Sequence, residues 1–110
     1  MIGRWSKWRH FPDPAKGDFI VAPFGPGCYR LRCLETRELV LFGMAGHVAH
    51  RMYSLHPKGP GTRKNKQKRT FVGKHLPRLQ YQVIAFRSRK EAVECERDLR
   101  AQRHLYIFKT

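Results

Sequence analysis

The chain has 110 residues, a formal net charge of +15, a 41% hydrophobic share and 12% aromatic residues. That length allows one domain with a modest core, the apolar share excludes a disordered basic tail, and no stretch is apolar for long enough to span a bilayer as a helix. The charge exceeds what solubility requires and strains the compact state by self-repulsion. It calls for a polyanionic partner, and nucleic acid fits best, because Lys and Arg displace condensed counterions from phosphates. Three cysteines (Cys28, Cys33, Cys95) without a CxxC pair, and a start without an apolar leader, predict reduced thiols and a cytoplasmic location.

Residues 1–24 form a basic aromatic arm, rich in Pro and charge. Its Trp5 and Trp8 either stack on bases or pin the arm to the body, the commoner use of such side chains. Residues 25–110 are the folded domain. Pro23, Gly25, Pro26 and Gly27 punctuate its entry, and Cys28–Leu34 and Glu38–Gly43 alternate like strands joined by a short hairpin loop. Tyr29, Leu31 and Cys33 share one face, with Arg30 and Arg32 on the other. Val48, Met52 and Leu55 recur at helical spacing. After a Pro- and Gly-rich loop over residues 57–63, Asn65 can cap a second helix that turns Phe71, Val72 and Leu76 inward. Leu79–Phe86 is a third strand. Ser88 and Glu91 make a capping box for a helix from about Arg89 to Arg103 with Ala92, Cys95 and Leu99 inward, and Leu105–Phe108 can close the chain as a short strand.

Charge is distributed unevenly. Leu39 to Lys90 contains no acid, and Glu91, Glu94, Glu96 and Asp98 then arrive within eight residues. Arg63, Lys64, Lys66, Lys68, Arg69 and Lys74 are dense enough to grip a phosphate backbone. Arg51, the one Lys or Arg of the first helix, can hold a phosphate bidentately, with His47 one turn earlier able to move a proton. Glu96 lies at the edge of its helix's buried stripe and suits one divalent cation, whereas Glu91 is explained by capping and Glu94 and Asp98 by pairing with basic residues on adjacent turns. Tyr29 opens the apolar face of the first strand. As a base it would need a strongly lowered pKa.

Gly27-Cys28-Tyr29, Leu41-Phe42-Gly43, Arg51 eight residues beyond that glycine, and Glu91-Ala92-Val93-Glu94-Cys95-Glu96 together resemble the GIY-YIG nuclease superfamily over roughly residues 25–108. The resemblance implies a small α/β (α+β) fold with a central three-stranded antiparallel sheet flanked by helices. It also implies metal-dependent cleavage of DNA, single- or double-stranded, with one Mg²⁺ or Mn²⁺ on Glu96, Tyr29 helping to activate the attacking water, and Arg51 stabilising the phosphate's developing charge. The second motif Tyr is replaced by Leu41. The Asn common near the end of such domains has no counterpart, Phe108 standing about there, and His47 and Asn65 are the available polar substitutes. Two other readings stay open: a degenerate, catalytically silent nucleic-acid-binding module, and an RNA-binding accessory of translation. Without a separate specificity domain, low sequence selectivity is expected unless a protein partner supplies targeting.

Overall fold

Alternation of apolar and polar residues around Tyr29 and Leu31 makes β2, Gly27–Cys33, the centre of the sheet. The computed structural model describes residues 4–13, 16–55 and 66–108. β2 pairs antiparallel with β3, Leu39–Ala45, on one side and with β4, Leu79–Ala85, on the other. The β2–β3 hairpin turns through Arg37, whose φ of 59° lies in the left-handed region. A bulge where Leu31 faces Leu41 but Arg32 faces Leu39 leaves Val40 as the extra residue, so Val40 and Leu41 enter the same core. Bulges permit such a double turn to one face.

Helices cover both faces. Below the face of Tyr29, Leu31, Tyr81 and Val83 lie α1, Val48–Tyr53, and α2, Lys66–His75. Val48, Met52, Leu55 and Val72 there are fully or almost fully buried, each worth about 1.5–3 kcal/mol of apolar burial. On the opposite face, α3, Arg89–Ala101, packs Ala92 and Leu99 towards Cys28, Phe42 and Ile84. Ser88 caps it by accepting from the Glu91 amide at 3.3 Å. No helix among the described residues is long and apolar enough to cross a membrane.

Two expectations require correction. The sheet has four strands, not three, because Arg9–His10 of the arm forms β1 against Gln80 and Tyr81 of β4, giving the order β1-β4-β2-β3. The arm amides of Ser6 and Phe11 donate to the Val83 and Leu79 carbonyls, Phe11 is buried, and the Tyr81 hydroxyl bonds both backbone groups of Val21. The otherwise open backbone edge of β4 is thereby satisfied. The closing segment is not a strand of its own. A 3₁₀ turn, Arg103–Leu105, leads to a single parallel bridge between Tyr106 and Leu39, after which Ile107 and Phe108 donate to Leu39 and Val40 carbonyls. The loop over residues 57–63 and the Asn65 cap lie outside the described residues.

Candidate active site

Tyr29 sits mid-β2 directly across from Gly43 of β3. Its phenol lies over that glycine so closely that a Cβ at position 43 would stand 2.3 Å from the hydroxyl oxygen and 2.5 Å from Cζ. The ring is 5% exposed, and no described protein group hydrogen-bonds the hydroxyl, which leaves it for a ligand. Burial pushes the phenol's pKa up to about 12; the Arg51 guanidinium pulls it down, and Glu96 and Cys28 push it up further. Tyr29 thus feels both charges singled out in the sequence, one carried by α1 and the other by α3. The direction is the reverse of what a phenolate base requires, because loss of hydration outweighs the attraction of one guanidinium.

Arg51 projects exposed from α1. The loop before β2 positions this short helix: the Val48 and Ala49 amides donate to the Gly25 and Pro23 carbonyls. His47 is the N-cap of α1, not a residue of its first turn. Its Nδ1 accepts from the His50 amide at 3.0 Å, and its ring stacks on Phe24 at 5.4 Å. That nitrogen serves the helix end. From α2, Lys68 is half-buried, its pKa lowered by burial and then by the nearby Arg51 charge, so it joins Arg51 at the site. Lys66 and Arg69 border a groove of about 300 Å³ with Thr70 and Gly73. Lys74 is exposed in the last turn.

Glu96 is intermediate in exposure on α3 and accepts from Arg100 Nη2 at 3.1 Å, one turn on. Burial raises the pKa of both Cys28, on the α3 face, and Tyr29, on the other, and the Glu96 carboxylate adds to each as a smaller contribution. The Cys28 thiol donates to the Ala92 carbonyl at 3.3 Å, and all three cysteines are free. Among the described residues no three His, Cys, Asp or Glu side chains gather to hold a metal ion. One carboxylate still fits Mg²⁺, which keeps several waters and binds through one or two carboxylates together with substrate phosphate.

Comparison with protein-family models, curated proteins and solved structures found no match to this chain.

Tyr29 on β2 feels the charges of Arg51 on α1 and of Glu96 on α3. Lys66, Lys68, Arg69 and Lys74 share α2, while Arg63 and Lys64 lie outside the described residues. Sequence reasoning missed that Lys68 crowds Arg51; its one signal was position, since Lys68 lies four residues before the fully buried Val72 and so on the inward side of a helix. Leu41 is fully buried between sheet and helices, and Phe108 packs edge-on to Phe71 at 5.6 Å. Both serve the core.

The raised pKa of Tyr29 has a measurable consequence. Stability stored in the neutral phenol is complete below the ordinary pKa of 10.0 and is lost as pH climbs through about 12, a loss of roughly 2–3 kcal/mol. Urea unfolding at about pH 9 and about pH 11.5 should therefore show a steeper alkaline decline in wild type than in Tyr29→Phe. Parallel declines would mean that the phenol is hydrated in the native state.

Proposed function

We propose that this chain is a metal-dependent endonuclease of GIY-YIG type that hydrolyses DNA phosphodiester bonds with little sequence selectivity. The observation that supports the reading is that a buried phenol, Tyr29, feels one guanidinium, Arg51, and one carboxylate, Glu96, from two other elements, beside a basic helix. A bound Mg²⁺ or Mn²⁺, held by Glu96, would supply Lewis-acid polarisation of the phosphate and a more acidic water. Arg51 holds the scissile phosphate and neutralises the charge that grows on its oxygens, with Lys68 adding a second cation there. Tyr29 stays neutral and acts through its hydroxyl as a hydrogen-bonding group that orients water or phosphate. Lys66, Arg69 and Lys74 keep the strand on α2.

The test is cleavage of plasmid and single-stranded DNA with Mg²⁺ or Mn²⁺. Arg51→Ala should slow cleavage about 10²–10³-fold, the usual cost of removing one group that stabilises transition-state charge. An unaltered rate would remove Arg51 from the chemistry. A second reading, a binding module without catalysis, is favoured by two features: Leu41 puts no polar group where the motif has its second Tyr, and Glu96 is already paired with Arg100. That reading expects steeply salt-dependent binding and no metal-dependent turnover.

A further inference from the structure

The sheet face opposite Tyr29 carries an alternating stack. Arg30 Cζ lies 4.3 Å from the Trp5 ring centroid and 5.5 Å from that of Trp8, and Arg32 Cζ lies 4.1 Å from Trp8. Both guanidinia are fixed along the same edge: Arg30 Nε donates to Gln82 Oε1 at 2.7 Å and Arg32 Nε to Gln80 Oε1 at 2.9 Å, their register partners on β4. Gln82 in turn donates to the Ser6 carbonyl at 2.7 Å. The Nε edge is thus spent within the protein, and no described group hydrogen-bonds the Nη nitrogens of either guanidinium.

We propose that this Trp5–Arg30–Trp8–Arg32 stack is a second nucleic-acid-binding surface, which grips the sugar–phosphate backbone of a strand on the face opposite Tyr29. Pinning the arm explains the tryptophans but not the charges. Two like charges two residues apart on one strand repel, Arg37 adds a third that bears on Arg32, and no carboxylate among the described residues pairs with Arg30 or Arg32. Apolar side chains would hold the arm at lower electrostatic cost, so the arrangement is completed by an external anion. Preorganised, stacked guanidinia lose little freedom on binding phosphate oxygens bidentately. Residues two apart on a strand are about 6.7 Å apart, comparable to neighbouring phosphates of an extended single strand. Arg30 covers one face of Trp5, and Arg30 and Arg32 both lie over Trp8, so recognition falls on the backbone and is largely independent of base sequence.

The chain's two tryptophans both lie in this stack, so selective tryptophan excitation reports on it alone. Titration of oligothymidine with EDTA present, followed by both fluorescence anisotropy of a labelled strand and tryptophan emission, separates the surface from the Tyr29 site. Binding should change tryptophan emission in wild type. Arg32→Met, which keeps an unbranched stem against Trp8, should lower the log–log salt slope by about 0.7, the single-strand value per phosphate contact, and weaken binding roughly tenfold at about 0.1 M salt. Failure to bind, or binding by anisotropy with wild-type tryptophan emission unchanged, overturns the proposal, and so does an unchanged salt slope in folded Arg32→Met. Because no cleavage is read, this failure is distinct from failure of the nuclease reading.

Discussion

Glu96→Gln should abolish metal-dependent DNA cleavage, lowering the rate about 10²–10⁴-fold, which corresponds to several kcal/mol of transition-state stabilisation at roughly 1.4 kcal/mol per decade. The substitution keeps size and shape and removes only the charge able to hold a hard cation. It also removes the ion pair with Arg100, but that pair joins partly exposed side chains at i,i+4 spacing and contributes only about 0.3–0.5 kcal/mol. The fold therefore survives. DNA affinity should hold or rise, because a negative charge leaves a cationic surface. Arg100→Ala is the matching control: it frees the carboxylate without removing it and should leave cleavage within about threefold. If wild type cuts no better than Glu96→Gln in Mg²⁺ or Mn²⁺, the endonuclease reading is finished and the binding-module reading takes its place.

What the sequence disclosed, and what it hid, follows from the range over which each signal acts. The alternation of Tyr29, Leu31 and Cys33, the helical spacing of Val48 and Met52, and the Ser88–Glu91 cap are local patterns, and the elements they predict are present as β2, α1 and α3. β1 was hidden because two residues, Arg9 and His10, carry no periodicity; the strand exists only because β4 offers an unpaired edge. The Val40 bulge was hidden for a similar reason, since extra residues in a hairpin are set by pairing and not by composition. At the site, the influence of Arg51 and Glu96 on Tyr29 follows from no local pattern, since the three lie on separate elements. Two electrostatic outcomes were not legible. The direction of the Tyr29 shift depends on how deeply the ring is buried, and the approach of Lys68 to Arg51 depends on how α2 docks. Alternation puts Arg30 and Arg32 on the face opposite Tyr29, but only the folded arm brings the tryptophans onto them.

Gly27→Ala should cost about 3 kcal/mol of stability as severe overpacking. A Cβ on Gly27 would stand 2.2 Å from the Ile84 carbonyl oxygen and 2.9 Å from Val48 Cγ2. The first of these is backbone of the adjoining strand, so relief requires β2 and β4 to move apart at the point where α1 also docks. Gly43→Ala meets a side chain instead, the Tyr29 phenol, and should cost less, about 1–2 kcal/mol. Its functional cost should be the larger of the two relative to stability, because the displaced group is the hydroxyl itself. The two glycines thus separate scaffold from site. Urea midpoints should rank Gly27→Ala below Gly43→Ala below wild type, whereas cleavage measured well below each midpoint should be the more impaired in Gly43→Ala. Tyr29→Phe removes the atom nearest the new methyl but leaves the ring carbon at 2.5 Å, so in that background the penalty of Gly43→Ala should shrink without vanishing, a coupling of about 0.5–1 kcal/mol. Strict additivity would show that the phenol does not rest on Gly43.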